Sequence, residues 1–286
     1  MHQSIWAAGT ALVLLGLSTT AQAQSLAPNR ALYIFEPARV SQNGGSMPLD
    51  GRIAYELTGN DCSGYEVDSR VANIYAADTG QKRVDMLAAT FEAGDGKSFD
   101  VRQTQFVNQV AGDEERINVS RDSTGTGTGK IHGTKKIDFT LKPDVLFPSA
   151  YEKKLITLAL KGEKRDISLV YDGSDSEKVF RAIAVFGPKQ PPGANPDDKA
   201  NPVAAPLLGV NSWQVSISYF PAADDKAEQP DYQMDFTMYE NGIASTMLID
   251  YGPYALKGKL AKLEMLPVET CAASAPTDAS KAGTPQ

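Results

Sequence analysis

Two cysteines are the residues of this chain whose chemistry is best defined by type and spacing. Cys62 and Cys271 are its only cysteines, separated by 271 − 62 = 209 positions. No C-x-x-C motif is present, so a dithiol redox centre is not indicated. Two free thiols or one disulfide remain as alternatives, and an oxidising compartment favours the disulfide. The compartment of the protein therefore decides what these residues do.

The amino-terminal residues predict export. Ile5–Leu17 is apolar but shorter than the roughly 20 residues that a membrane helix needs. Ala21-Gln22-Ala23 fits the small-x-small pattern of signal-peptide cleavage, although no Lys or Arg precedes the apolar run. We expect residues 1–23 to be a cleaved secretory signal peptide, because an uncleaved anchor usually needs a longer apolar stretch. Cys62 and Cys271 are then expected to form one disulfide.

Histidine chemistry depends on one residue, because His2 leaves with the signal peptide and only His132 remains. A Ser–His–Asp hydrolase would need His132 as its base, yet this residue follows a glycine-rich run and no G-x-S-x-G motif accompanies it. A zinc site would have at most one imidazole ligand. We expect an exposed His132 and predict no catalytic residue and no metal site.

Two glycine-containing runs partly resemble phosphate-binding loops. Gly96-Lys97-Ser98 ends like a P-loop, but Phe91 stands where that motif requires glycine. Gly129-Lys130 fails at both ends of the motif, and its run Thr124–Gly129 reads TGTGTG, which is typical of a flexible low-complexity loop. The sequence therefore predicts no nucleotide and no other cofactor.

Acidic residues are numerous but do not single out a site. A carboxylate pair can cleave glycosides, but the chain has 35 Asp and Glu residues, and sequence alone cannot select two of them. Asp197-Asp198 and Asp224-Asp225 are predicted to lie in solvated loops. The formal net charge of −7 argues against nucleic acid or an anionic membrane as the main partner.

The elements that would carry these residues are mostly short strands. Tyr232–Met238 alternates apolar and polar residues, Asn241-Gly242 signals a hairpin, and Met247–Tyr251 and Tyr254–Leu266 continue the meander. About a dozen such segments predict an all-β fold, an antiparallel many-stranded sheet forming an open or closed barrel. An outer-membrane barrel is not predicted, because the strands lack continuous lipid-facing apolar rows.

One α-helix is expected to be inserted into this sheet after Pro148. Ser149 and Glu152 have the spacing of a capping box, and Gly162 is the expected end. An apolar stripe at helical spacing is formed by Tyr151, Leu155 and Leu158.

The chain is predicted to form a single domain over residues 24–271, followed by a disordered tail over 272–286. The proline-rich segment 187–209 could be a linker or a loop. We interpret it as a loop within the domain, because the proposed disulfide spans it.

Several segments together resemble the cell-envelope integrity family EipB. They are turn and strand signatures rather than catalytic motifs, and their order extends over about residues 31–271. They are Gly51–Tyr65 (GRIAYELTGNDCSGY), Phe91–Phe99 (FEAGDGKSF), Val145–Pro148 (VLFP), Val170–Ser174 (VYDGS), Ser216–Phe220 (SISYF) and Tyr239–Gly252 (YENGIASTMLIDYG).

The resemblance implies a soluble periplasmic protein folded as a β-spiral around a helix, similar to the lipoprotein carriers of the Lol system. The single disulfide of the family maps onto Cys62 and Cys271. The family is tied to envelope integrity and stress resistance, with no established enzymatic activity. We therefore expect a monomeric, non-enzymatic envelope protein that acts through a protein partner or a lipid ligand. The alternative is a lipid or lipoprotein carrier that holds acyl chains inside the spiral.

Overall fold

The computed structural model describes residues 25–40, 47–77 and 80–271. The predicted signal peptide and tail lie outside these ranges. A single 15-stranded sheet includes every strand of the described residues. Its strands are β1 (Asn29–Val40), β2 (Met47–Asn60), β3 (Gly64–Ala77), β4 (Gly80–Glu92), β5 (Ser98–Val107), β6 (Val110–Arg121), β7 (Gly127–His132), β8 (Lys136–Leu141), β9 (Val145–Leu146), β10 (Arg165–Val170), β11 (Phe180–Phe186), β12 (Ser212–Pro221), β13 (Tyr232–Tyr239), β14 (Ala244–Asp250) and β15 (Tyr254–Met265). The helices are α1 (Pro148–Leu160), α2 (Pro196–Ala200) and a 3-10 helix (Pro202–Leu207).

The sheet consists of two meanders that meet at the first strand. Strand β1 pairs with β2 on one side and with β15 on the other, and the strand order runs from β8 through β1 to β15 and on to β9. All pairs are antiparallel except β9 with β10, which α1 connects. The predicted all-β class and open-barrel architecture are confirmed.

The two ends of the sheet approach each other through side-chain contacts rather than through backbone pairing of their edge strands. Phe99 of β5 stacks on Phe147 before α1, with ring centroids 5.0 Å apart, and contacts Tyr171 after β10 edge-on. The guanidinium of Arg121 lies over the Phe147 ring, 4.5 Å from its centroid. This aromatic cluster nearly closes the barrel while leaving β8 and β9 unpaired with each other.

Helix α1 lies inside the curve of the sheet. Its buried side chains Tyr151, Leu155, Ile156 and Ala159 belong to the same core cluster as inward-facing residues of β10 to β13. Strand β11 presents alanine to the interior, and these small side chains let a helix approach the sheet closely. The predicted position of the helix is right, and it ends as expected at Gly162, whose φ is +79°.

The capping box predicted for α1 is wrong. Phe147 is the N-cap and its side chain makes no capping bond. The carboxylate of Glu92, at the end of β4, instead accepts hydrogen bonds from the backbone amides of Ser149 (2.7 Å) and Ala150 (3.0 Å). Burial raises the pKa of Glu92, while these two amide bonds act in the opposite direction. The helix therefore depends on a carboxylate 57 residues away in sequence, which local patterns cannot reveal.

Removing this carboxylate is expected to destabilise the protein. Glu92→Ala leaves two buried amides at the start of α1 without their acceptor, so we expect a loss of about 2 kcal/mol in the free energy of unfolding. Urea denaturation measures the loss, and Glu92→Gln, which keeps one acceptor oxygen, should lose less. The control is Glu66→Ala, which removes an exposed carboxylate from β3. A Glu92→Ala midpoint equal to that of this control would contradict the prediction.

The prediction of a flexible loop at Thr124–Gly129 is wrong for the second half of that run, which belongs to a strand. Gly127 and Gly129 lie in β7 and face inward. A Cβ atom at Gly129 would collide with the ring of Phe139, which lies across it from β8. The alternating glycines therefore make room for an aromatic ring on the neighbouring strand.

We expect Gly129→Ala to cost about 1–2 kcal/mol of stability, because overpacking forces the Phe139 ring to move. The exposed neighbour Thr128→Ala serves as the control and should change little. In a Phe139→Ala background the added methyl group should cost nothing, since the colliding ring is gone. Equal losses from Gly129→Ala in both backgrounds would rule out this explanation.

The proline-rich segment has more structure than a loop. It contains α2 and the 3-10 helix, and it is fastened to the sheet by side-chain bonds. Asn201 donates from Nδ2 to the carbonyl oxygen of Leu260 (2.9 Å). Asp198, predicted to be solvated, is only 2% exposed and accepts hydrogen bonds from the hydroxyls of Tyr239 (2.5 Å) and Ser245 (3.0 Å). Asp224 and Asp225 are exposed in a loop, as predicted, whereas Asp197 is exposed but lies in α2.

The hairpins were predicted with mixed success. Gly94-Asp95-Gly96 joins β4 to β5 as expected. At Asn241-Gly242 only the glycine has a positive φ (+90°), so the expected two-residue turn is replaced by a longer loop. A tight two-residue turn joins β5 to β6 at Asn108 and Gln109, whose φ values are +48° and +70°. The sequence did not indicate this turn.

Candidate functional site

Helix α1 packs against only part of the inward face of the sheet. Where β11 and β12 face the helix, Ala182, Ala184, Val215 and Ile217 are buried. Inward-facing residues elsewhere in the sheet keep accessible surface. These partly exposed residues lie opposite one another on neighbouring strands. They are Ile53, Tyr55, Val67, Val71, Met86, Met234, Phe236 and Met247. We call the space that these residues line the open interior.

Tyrosines surround one side of the open interior. The ring of Tyr232 stacks on Tyr219 with centroids 4.5 Å apart and lies 6.0 Å from Tyr251, which is 5.0 Å from Tyr254. Tyr251 is 39% exposed. Burial is the main cause that raises the pKa of each of these phenols above its ordinary value, so all four stay protonated at neutral pH. They can donate hydrogen bonds and offer ring faces, but they cannot act as bases there.

The carboxyl group of Glu152 on α1 lies beside the loop that joins β13 to β14. A Cβ atom placed on Gly242 would lie 3.0 Å from its Oε1, and the side chain of Leu26 contacts the same point. Burial first, and the charge of Glu92 second, raise the pKa of Glu152 to about 8. At neutral pH the carboxyl group is therefore mostly protonated.

The core that contains α1 also includes the phenols of Tyr151 and Tyr55. The hydroxyl of Tyr151 is buried without a hydrogen bond among the described residues. Burial followed by the charge of Glu152 raises the pKa of Tyr55. Unsatisfied buried polar groups are uncommon in proteins. An apolar cavity with a few such groups is the usual form of a small-molecule site.

A wide concavity lies on the opposite, outward face of the sheet. It has a volume of about 1160 Å³ and extends across β1 to β6, with one wall from β15 and the 3-10 helix. Its charges are largely paired, as in the contact of 2.7 Å between Nε of Arg30 and Oε2 of Glu56. Its floor is apolar, with exposed Leu87 and Ala54. Such a wide, charge-balanced groove suits a protein surface better than a small ligand.

The predicted disulfide residues lie together, and away from the open interior. The structure joins Cys62 to Cys271 with a Cα–Cα distance of 5.7 Å. Cys62 lies in the turn between β2 and β3, where Oδ1 of Asn60 accepts from the amides of Cys62 (2.8 Å) and Ser63 (2.9 Å). The bridge therefore connects this turn to the segment that follows β15.

The remaining candidate residues do not form a reaction centre. His132 is exposed at the end of β7, as expected. Within the described ranges, no three His, Cys, Asp or Glu side chains come close enough to hold a metal ion. No helix of the described chain is long and apolar enough to cross a membrane. The sequence assigned Glu152 to helix capping and missed its position beside Gly242, since that depends on how α1 packs against the sheet.

Comparisons with known proteins agree with this architecture. The sequence model of the EipB-like family matches residues 20–267. A protein of Brucella abortus (strain 2308) named cell envelope integrity protein EipB is 33% identical over 259 residues, covering 87% of this chain and 88% of the relative. The crystal structure of a beta-barrel-like protein of unknown function from Brucella abortus matches with a TM-score of 0.78 at 31% identity, covering 85% of this chain and 99% of that one. The chain therefore belongs to the EipB-like family.

Proposed function

We propose that this protein is an exported, non-enzymatic component of the periplasm that maintains the integrity of the cell envelope through a binding partner. The observation that carries the proposal is the similarity over nearly the whole chain to a relative named for cell envelope integrity. The partner is an envelope protein or a lipid, and the protein acts as a monomer.

Binding rather than catalysis is supported by the chemistry of the described residues. The phenols of the open interior are protonated at neutral pH, and His132 is exposed at the end of β7. The wide outer groove offers a surface for a protein partner, while the open interior offers one for an apolar ligand. Binding of a protein partner or an apolar ligand at these surfaces requires no covalent chemistry.

Deleting the gene tests the envelope role. We expect the deletion strain to lose tolerance to detergents and to antibiotics that the envelope normally excludes, and the full chain to restore it. A version without residues 1–23 should remain in the cytoplasm and fail to restore tolerance. Unchanged tolerance in the deletion strain would refute the role, and rescue by the truncated version would refute export.

A second candidate function is the carriage of acyl chains in the open interior. The observation that favours it is the set of inward-facing apolar side chains that α1 leaves partly exposed, including Val71, Met86 and Phe236. Inward-facing residues of a small barrel are otherwise filled by packing. A chain of methylene groups would bury this apolar surface.

Native mass spectrometry of protein purified from the periplasm tests this second candidate. We expect a lipid to accompany the protein and to be lost when Val71→Trp fills the open interior. The control is Ala54→Trp, which places the same indole ring on the outward face of the adjacent strand. Protein that is consistently free of lipid, or equal lipid in both variants, would contradict carriage in this space.

A further inference from the structure

Four basic side chains form one row across the outward face of β5 to β8. Arg102 of β5 lies directly opposite Arg116 of β6. Arg116 also lies opposite His132 of β7, and His132 lies opposite Lys136 of β8. The alternate positions on these strands belong to the core, so the four basic side chains point outward, and all four are exposed. We call these four residues the basic row.

The protein itself neutralises little of the basic row. Arg116 pairs with Glu114, two positions away on the same strand. Within the described ranges, Arg102, His132 and Lys136 form no ion pair and no side-chain hydrogen bond. Like charges directly opposite one another destabilise a pair of strands. A row of them departs from the local rules of sheet stability, and such departures are expected at functional sites.

A second outward row borders the basic row on one side and carries mixed charges. It consists of Asp100, Asn118, Lys130 and Asp138, which lie opposite one another in that order. Asp100 accepts a hydrogen bond from Nδ2 of Asn118 (2.6 Å). The basic row is therefore a narrow positive strip beside two carboxylates. Such a strip favours a narrow, extended anion, because the bordering carboxylates would repel a broad negative surface.

The basic row continues into the outer groove. Arg102 lies opposite Ala89 of β4, and both residues line the groove of about 1160 Å³. Arg102 and Arg116 also line a smaller cavity of about 260 Å³ beside Phe91, which is 38% exposed. Leu87, which is 42% exposed, lies two positions before Ala89 on the same face of β4. A ligand on the basic row would thus have apolar surface next to it, which a small free anion cannot cover.

We propose that the basic row binds an acidic segment of a partner protein, whose adjoining apolar side chains lie on Leu87 and Phe91. This inference rests on the proposed function, action through a protein partner, and adds the chemistry by which the partner is recognised. Guanidinium groups bind carboxylates in a bidentate geometry, so Arg102 supplies the most specific contact. The formal net charge of −7 disfavours an anionic membrane, whereas a narrow acidic segment meets the basic row alone.

Three peptides with the same apolar end separate charge from apolar contact. Hexaglutamate, hexaglutamine and hexalysine, each followed by Leu-Phe, are titrated into the full-length mature protein and followed by fluorescence anisotropy. We expect the glutamate peptide to bind about tenfold more tightly than the glutamine peptide at low salt, since three exposed charge pairs contribute about twofold each. The lysine peptide should bind most weakly. Added salt should reduce these differences, because exposed charges are screened.

Reversing the charge of the basic row provides the decisive comparison. In Arg102→Glu/Lys136→Glu the preference should invert, so that the lysine peptide binds more tightly than the glutamate peptide. Binding of the glutamine peptide should stay as in the parent, which shows that the variant is folded. The control is Lys257→Glu/Lys259→Glu, an equal change in net charge at exposed positions of β15, which β1 to β4 separate from β5 in the sheet. This control should bind all three peptides like the parent.

Several results would overturn the proposal. They are failure of all three peptides to bind, equal binding of the three peptides, equal effects of the two double variants, and binding of inorganic pyrophosphate as tight as that of the glutamate peptide. The last result would identify a general anion site instead.

Rescue of the deletion strain separates the basic row from the proposed function. Arg102→Glu/Lys136→Glu should fail to restore tolerance to detergents, while Lys257→Glu/Lys259→Glu should restore it. Full rescue by Arg102→Glu/Lys136→Glu would refute the role of the basic row and leave the envelope role intact. If the deletion itself leaves tolerance unchanged, the envelope role fails, and the peptide titrations alone decide whether the basic row binds acidic segments.

Discussion

Replacing either cysteine is expected to lower the free energy of unfolding by about 2–4 kcal/mol. The bridge between Cys62 and Cys271 closes a loop of 209 residues. The loop-entropy relation gives roughly 5 kcal/mol for such a closure, and measured values are usually smaller. Cys62→Ser and Cys271→Ser should behave alike, because each removes the same bond.

The local contacts explain why no other interaction replaces the bridge. Residues 267–271 are exposed, and a hydrogen bond of 3.3 Å from Nδ2 of Asn60 to the carbonyl oxygen of Glu269 is their side-chain link to the turn after β2. Without the disulfide this segment should detach, while β15 stays paired with β1 and β14. We therefore expect faster proteolysis at the carboxyl terminus as well as lower stability.

Thermal denaturation of protein purified from the periplasm measures the effect. The parent treated with reductant should match Cys62→Ser, and reductant should have no effect on the variant. Ser63→Ala, in the same turn, is the control for local disturbance. Two alkylatable thiols in the untreated parent, or equal melting temperatures for parent and cysteine variants, would contradict the prediction.

The strands could be predicted from sequence because alternation with period two survives in almost all of them. The rows Ile53–Tyr55–Leu57 and Trp213–Val215–Ile217 face the interior as their pattern indicates. Strand pairing across β1 and β15 could not be predicted, since it joins residues more than 200 positions apart. The glycine alternation of β7 was misinterpreted because its partner ring, Phe139, lies on another strand.

The candidate site was predicted less well than the fold. A glutamate three positions after Ser149 satisfies the local rule for a capping box. The amides at the start of α1 nevertheless donate their hydrogen bonds to the carboxylate of Glu92. The carboxyl group of Glu152 lies instead beside Gly242, in the loop between β13 and β14. Whether an acidic residue caps its own helix or lines a cavity depends on long-range packing, which a single sequence does not reveal. The cysteines were the exception, because their number and the predicted export left one pairing.

Stability is expected to depend on pH through Glu152. Its pKa in the folded protein is about 8, against an ordinary value of 4.5, so the folded state holds this proton more tightly than the unfolded chain does. The contribution of the group is fully present below pH 4.5 and is lost as pH rises through about 8. At pH 7 the penalty is about 3 kcal/mol, since each unit of pKa difference corresponds to about 1.4 kcal/mol.

Glu152→Gln should remove this dependence, because glutamine has no proton to lose. We expect the lipid-free variant to match the parent near pH 4.5 and to exceed its stability by about 3 kcal/mol at pH 7, measured by urea denaturation across this range. Glu163→Gln should run parallel to the parent at every pH. If the Glu152→Gln curve also runs parallel to the parent, then the carboxyl group of Glu152 is well solvated in the folded protein and its pKa is not raised.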